Sequence, residues 1–126
     1  MGDPYPKFGL AICSAQTTFF FFIDATNNYN SQSVGWVLCD TGATNWTWNV
    51  TGKSAMTEAS VGSYKNGESA KLSVKRNGAT IECYVNDILV FEVNNVAGLS
   101  ATDAAACAVL SFNTGVIVSN YSITTK

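Results

Sequence analysis

Carboxylates are the first side chains to consider for chemistry, because the chain of 126 residues contains no histidine. Relays and metal sites that depend on histidine are therefore excluded. Glycoside hydrolysis needs two carboxylates about 5–9 Å apart, which acidic residues at positions i and i+2 of one strand can supply. None of the nine acidic residues stands two positions from another. A pair from different strands, such as Asp24 with Asp40, stays open, but the sequence favours a protein without catalytic residues.

Cysteine chemistry and phosphate binding have little support in the sequence. The cysteines form no CxxC pair, which argues against zinc, iron–sulfur and thioredoxin-like sites. Glycine-rich loops that cradle phosphate are absent. We therefore predict no cofactor. All the cysteines fall within predicted strands, where cysteine is commonly a small buried hydrophobe, so we expect free thiols at Cys13, Cys39, Cys83 and Cys107.

Side chains that bind sugars are better represented. Sugars stack on aromatic rings and hydrogen-bond to the amides and carboxylates around them. The segment 44–49 alternates, so that its two tryptophans share one face of a strand, and the loop 25–32 is rich in asparagine. A tryptophan pair in the core and an ordinary polar loop are the alternatives. The candidate glycan-binding residues are Trp46, Trp48, Asn27, Asn28, Tyr29 and Asp24.

The elements that would position these residues are strands. Short β-branched or aromatic runs alternate with clusters of Asn, Gly, Ser, Thr and Asp, and no stretch keeps a helical period. The second predicted strand is apolar on both faces, so its outer face is either covered or a patch for a ligand or partner. The predicted strands are Lys7–Cys13, Thr18–Asp24, Ser33–Asp40, Asn45–Asn49, Ala70–Arg76, Ala79–Val85, Leu89–Val93, Ala105–Asn113 and Val116–Thr124.

Two hairpins can be assigned a register. The dipeptide Asn77-Gly78 favours a type I′ turn, since both residues tolerate positive φ. This turn gives the pairs Arg76–Ala79, Val74–Ile81, Leu72–Cys83 and Ala70–Val85. Apolar residues then share one face of the hairpin, and polar residues such as Lys75, Glu82 and Tyr84 share the other. A bulged three-residue turn over 86–88 keeps Glu92 in solvent and gives the pairs Leu89–Val85, Phe91–Cys83 and Val93–Ile81.

Length and composition limit the remaining classes. Hydrophobic residues make up 47% of the chain and charged residues 13%, with a net charge of −2, which indicates one folded domain over 1–126. We interpret residues 1–6 as an extended N-terminal segment. Seven basic residues, thinly spread, argue against nucleic-acid binding. The longest apolar run, Phe19–Ile23, is too short to span a bilayer, so we expect no membrane partner.

Several motifs resemble a known family. The run Lys71–Phe91, with its "NG" turn and "YVN" strand, resembles the central double hairpin of laminin G-like and other concanavalin A-like sandwiches. Three other segments are also similar to that family: the strand Lys7–Ile12 with its "GL" pair, the aromatic strand Phe19–Asp24 and the closing "NYSI" at Asn120–Ile123. The resemblance implies an antiparallel β-sandwich of the concanavalin A-like jelly-roll type. It further implies a non-catalytic, lectin-like module that attaches a larger protein to a cell surface or polysaccharide, and hence an extracellular, cell-surface or virion location.

Three further expectations concern metal binding, an alternative function and an open sheet edge. Many relatives bind calcium, but the nearest candidates, Asp24, Asp40 and Asp87, are isolated in sequence, and we predict no metal. The low charge, the richness in Asn, Thr and Ser and the absence of histidine suit a structural or adhesion module of a bacteriophage tail, virion or bacterial surface protein, which is the alternative function. Relatives begin with strands that precede the "GL" strand, whereas only residues 1–6 precede it here. We therefore predict an open sheet edge, and self-association or strand sharing, at Val116–Thr124.

Overall fold

A computed structural model describes residues 7–24, 33–41, 54–58, 71–100, 104–112 and 121–123. Within these ranges the chain is all β, without a helix, and its strands form two antiparallel sheets. The strands are β1 (Lys7–Cys13), β2 (Thr17–Asp24), β3 (Ser33–Asp40), β4 (Ser54–Glu58), β5 (Leu72–Asn77), β6 (Thr80–Val85), β7 (Ile88–Val93) and β8 (Ala106–Phe112).

The five-stranded sheet has the order β4-β3-β2-β1-β8. Its strands form because aromatic and β-branched residues follow one another without interruption, which is typical of strands buried on both faces. One face carries Phe19 and Phe21 in the main core, and the other carries Phe20 and Phe22 in a second cluster. All four phenylalanines are at most 1% exposed. Of the two alternatives for the second face of β2, a covered face or an exposed patch, the structure shows the covered face.

The three-stranded sheet, β5-β6-β7, buries only one face. Ile81, Cys83 and Val85 alternate along β6 and point into the main core, where they join the inward residues of the five-stranded sheet. The ring of Phe91 meets that of Phe21 edge-on, with centroids 6.4 Å apart, across the space between the sheets. Two sheets that share one apolar layer form a β-sandwich.

The first hairpin differs from the predicted register by two residues. Asn77 pairs with Thr80, so the turn residues are Gly78 and Ala79, and only Gly78 has a positive φ, of 63°. This pattern fits a type II′ turn, and the predicted type I′ turn with its four pairs is wrong. The predicted faces are correct, because a shift of two residues returns each side chain to the same side of the sheet.

The second hairpin also corrects the prediction. Asn86 and Asp87 both have positive φ, of 50° and 66°, and form a two-residue turn of the type I′ kind. The predicted three-residue turn and the pair Leu89–Val85 are therefore wrong. The pairs of Phe91 with Cys83 and of Val93 with Ile81 are confirmed, because a bulge within β7 restores the expected register. Glu92 is exposed, as predicted.

At three places the strands assigned from the sequence do not match the described strands or cannot be compared with them. Strand β4 was not predicted, since its five residues carry little β-branched or aromatic character. The predicted strand Asn45–Asn49 lies outside the described residues. Of the predicted strand Val116–Thr124, only residues 121–123 are described; they form no strand, and both Tyr121 and Ile123 are exposed. The prediction is wrong at those three positions.

Candidate functional site

The predicted glycan-binding residues are for the most part not described. Trp46, Trp48, Asn27, Asn28 and Tyr29 lie outside the described residues, so their grouping stays a prediction. Asp24 is the last residue of β2, and its register partners on the neighbouring strands are Lys7 and Ser33. Asp24 therefore lies at one end of the five-stranded sheet.

The suggested carboxylate pair of Asp24 and Asp40 is not formed. Asp40 pairs with Thr17 at the start of β2, whereas Asp24 ends that strand. Seven residues of extended chain separate the two ends of β2 by roughly 23 Å. A catalytic pair needs a much shorter separation. The pairing suggested from the sequence is therefore wrong, and the two aspartates cannot share a calcium ion either.

Another group of polar side chains lies on the outward side of the three-stranded sheet. It arises from alternation, because the residues between the core positions of β5, β6 and β7 point to solvent. We call this surface the polar face. It consists of the strand residues Ser73, Lys75, Asn77, Thr80, Glu82, Tyr84 and Glu92, with the apolar Leu89 among them. Asn94, the residue after β7, belongs to it through its hydrogen bond with Thr80.

Tyr84 is the aromatic centre of the polar face. Its side chain is half-buried, and its hydroxyl donates a hydrogen bond to the Glu82 carboxylate. The Lys75 ammonium lies 5.8 Å from the centroid of the Tyr84 ring. The hydrogen bond to Glu82 raises the pKa of Tyr84, with smaller contributions from desolvation and from the negative charges of Glu82 and Glu92. Two neighbours thus fix the ring, and its hydroxyl stays protonated at neutral pH.

A row of charges crosses the three strands beside this ring. Lys75 pairs with Glu82, and Glu82 pairs with Glu92. The Asn94 amide donates to Glu92 at 3.4 Å and accepts from the Thr80 hydroxyl at 3.1 Å. Like charges directly opposite in a sheet are destabilising. The pairing of Glu82 with Glu92 is therefore unfavourable for stability, and unfavourable pairings of this kind concentrate at functional sites.

The arrangement suits binding to a hydroxyl-rich ligand. The ring offers a flat apolar surface, the carboxylates accept hydrogen bonds, and the Asn94 amide both donates and accepts. Glu82 already accepts from Tyr84, and Glu92 accepts from Asn94. Sequence reasoning placed Lys75, Glu82 and Tyr84 on one outward face but missed the site. The predicted pairs of Phe91 with Cys83 and of Val93 with Ile81 already placed Glu92 opposite Glu82. The missing signal was the set of side-chain contacts, such as the hydrogen bond from Tyr84 to Glu82, which residue type and register alone do not show.

A second polar cluster, at one end of the five-stranded sheet, is structural. The Ser14 hydroxyl accepts from the amides of Gln16 and Thr17 and lies 3.2 Å from the Gly98 carbonyl oxygen. The Thr41 hydroxyl donates to the Ser14 carbonyl at 2.8 Å. No buried side-chain polar atom among the described residues lacks a partner. The cluster closes the turn between β1 and β2 and presents no unsatisfied group to a ligand.

All four cysteines are free thiols, as predicted. Burial raises the pKa of Cys83, and burial followed by the charges of Asp40 and Cys13 raises that of Cys39. Cys107 is exposed. Within the described ranges, no three cysteine or acidic side chains group closely enough to hold a metal ion. The described part of the chain also contains no helix long and apolar enough to cross a membrane.

Known proteins give no guide to the position of a functional site in this chain. No family model, curated protein or solved structure matches the chain. The polar face is therefore the functional candidate supported by described contacts.

Proposed function

We propose that the protein is a non-catalytic, lectin-like carbohydrate-binding module that attaches a larger assembly to a cell surface or polysaccharide. It would act outside the cell, on a cell surface or on a virion. A concanavalin A-like jelly-roll arrangement of the sandwich belongs to this proposal. The observation that carries it is the Tyr84 ring, held on an outward sheet face among two carboxylates and an amide.

The ring is suited to sugar stacking because it is held in place before a ligand arrives. Glu82 fixes its hydroxyl and Lys75 lies over one side of the ring. A fixed aromatic side chain loses little conformational entropy on binding, and this favours affinity without a deep pocket. Glu92 on the neighbouring strand β7, and Asn94 just after that strand ends, would then bind sugar hydroxyls at the edge of the ring.

Titration with glycans identified on an array tests the proposal. We expect Tyr84→Ala to weaken binding at least tenfold, and Tyr84→Phe to weaken it less, because the ring survives. Tyr121→Ala is the matched control, since Tyr121 is 48% exposed and lies outside the polar face. Equal affinity of the Tyr84→Ala variant would refute the polar face as the site. Binding to no glycan would refute the function itself.

The residues predicted from sequence are tested in the same titration. Loss of binding in Trp46→Ala or Trp48→Ala, with Tyr84→Ala unaffected, would place the ligand at the tryptophans. Incubation of the bound glycan with the protein, followed by analysis of chain length, checks that the module is not an enzyme. Shortened glycan would contradict the non-catalytic assignment.

A structural or adhesion module of a bacteriophage tail, virion or bacterial surface protein is the second candidate. One observation favours it: strand β8, which lies at one end of the sheet formed by the described strands, contains no charged residue, a property suited to assembly. Light scattering separates the two functions. An oligomer without sugar affinity supports the structural module, whereas sugar affinity, in a monomer or in an oligomer, supports the binding module.

A further inference from the structure

The outer strands of the two sheets differ in how they are protected from pairing with another chain. In the described part of the chain, these strands are β4 and β8 in one sheet and β5 and β7 in the other. Charges, prolines and bulges are the usual protection. Strand β5 contains Lys75 and Arg76, β7 contains Glu92 and a bulge, and β4 ends at Glu58.

Strand β8 has none of these protections. It pairs with β1 through seven consecutive residues without a register shift. No proline occurs in it, and the sequence from 104 to 125 contains no charged residue. An unprotected, regular and uncharged outer strand is a template for strand addition.

The side chains of β8 are also poorly covered. Cys107 is exposed and Val109 is 37% exposed, although Ile12, the partner of Cys107 on β1, is only 5% exposed. Ala106 is exposed on the opposite face. The three-stranded sheet meets this side of the sandwich through β5, which contacts β1. Strand β8 therefore lies beyond the part of the core that the second sheet covers.

We propose that β8 pairs antiparallel with β8 of a second copy of this chain, so that two five-stranded sheets join across a two-fold axis. The partner strand must be free of charge, because a charged strand would bring unpaired charges against Val109 and Cys107. Among the outer strands described, β8 itself meets this condition. A strand paired with its own copy about a two-fold axis forms a closed, isologous contact.

This interface differs from the one predicted at Val116–Thr124. Both lie in the uncharged C-terminal part of the chain, but residues 121–123 form no strand, whereas β8 is a regular one. The dimer does not depend on sugar binding, because the polar face lies on the other sheet.

Sedimentation equilibrium at micromolar to millimolar concentrations tests the proposal. We expect the wild-type chain to reach twice the 13.4 kDa mass of one chain. In Val109→Lys, two lysines would face each other across the axis, and we expect the monomer mass at every concentration. Leu89→Lys is the matched control, since Leu89 is 50% exposed on β7 and the variant should remain dimeric.

Three results would overturn the proposal. A wild-type monomer throughout the concentration range would mean that another segment of the same chain covers β8. A dimer that persists in Val109→Lys, or one that Leu89→Lys disrupts equally, would place the interface elsewhere. If circular dichroism shows that Val109→Lys does not fold, Val109→Cys serves instead, because two thiols would then face each other across the axis. Mild oxidation followed by peptide mapping that finds a disulfide between the two copies of position 109 would support the proposal, and its absence would refute it.

Discussion

The two sheets of this sandwich differ in where their charged residues lie and in how many of their faces are buried. In the five-stranded sheet, charged residues stand only at strand ends, at Lys7, Asp24, Asp40 and Glu58, and β2 is buried on both faces. In the three-stranded sheet, charged residues lie within strands and alternate with core residues. The first sheet carries most of the core, and the second leaves one face in contact with solvent. Substitutions should therefore affect stability in the first sheet and binding in the second.

The largest expected effect is at Gly9, in the five-stranded sheet. Gly9 pairs with Phe22, and a Cβ at Gly9 would lie 1.8 Å from the backbone oxygen of Phe21. Backbone of neighbouring strands would have to separate, so we expect Gly9→Ala to lower the free energy of unfolding by about 4 kcal/mol or more. Chemical denaturation measures this.

The control for Gly9 is the same substitution at Gly98. This loop glycine has φ of +79°, and its added Cβ would lie 3.0 Å from Thr17 Cβ. Strain from positive φ and a tight side-chain contact should cost about 1–2 kcal/mol. If Gly9→Ala were tolerated as well as Gly98→Ala, the close approach of β1 and β2 would be wrong.

A smaller effect is expected from Phe20, which lies in the second cluster of the same sheet. It is 0% exposed, and its ring lies 5.3 Å from that of Phe22. Removal of a buried phenylalanine ring costs about 3–5 kcal/mol, so Phe20→Ala should lower the denaturation midpoint sharply. Leu89→Ala, on the polar face, should change stability by less than about 0.5 kcal/mol. Similar losses at both positions would contradict the comparison of the two sheets.

The next largest loss of stability is expected from a substitution at Ser14, in the turn between β1 and β2. Ser14→Ala removes the acceptor for the amides of Gln16 and Thr17 in a part-buried environment. Unsatisfied buried donors cost about 1–3 kcal/mol, which thermal unfolding would resolve. Ser122→Ala, at an exposed position, should leave the melting temperature unchanged. A neutral Ser14→Ala would mean that water replaces the hydroxyl.

The sequence predicted strand positions and faces more reliably than registers. Runs such as β1 and β3 were predicted with their observed bounds, because apolar alternation continues without a competing signal. Asn77-Gly78 misled the first register, since Gly78-Ala79 also makes a compatible turn and both choices bury the same residues. The need for one extra residue in the second hairpin was predicted, because without it Glu92 would face the core. Its position within β7 was not predicted, because an extra valine looks like an ordinary strand residue.

The candidate site was harder to predict for the same reason. Glu82 and Tyr84 stand two residues apart on β6, and this spacing resembles that of ordinary solvent-exposed strand residues. Glu92 joins them only through the pairing of β6 with β7. The predicted group around Trp46 relied on residue type alone. Local patterns thus indicated which residues are polar and outward, but the neighbours of each residue depend on register.

The repulsion between the paired glutamates should be measurable on the polar face. Glu92→Gln removes one of two like charges and keeps an acceptor for Asn94, so we expect stability to rise by about 0.5 kcal/mol at neutral pH. Lys75→Met removes the compensating positive charge beside Glu82, and we expect a loss of similar size. High salt should shrink both effects. A destabilised Glu92→Gln would show that Glu92 is held by favourable contacts instead.

The smallest expected effect is in the titration of Tyr84. Its folded-state pKa lies above the usual 10.0, first because the hydroxyl donates to Glu82. The stability linked to this raised pKa is fully present below the unfolded-state pKa and is lost as pH rises through the folded-state value. The difference in tyrosinate absorbance between the wild type and Tyr84→Phe isolates this one group. Glu82→Gln should move the Tyr84 midpoint back toward 10.0, and Glu92→Gln should move it less. If Glu82→Gln leaves the midpoint unchanged, the hydrogen bond does not hold the ring, and the preorganised platform on the polar face is wrong.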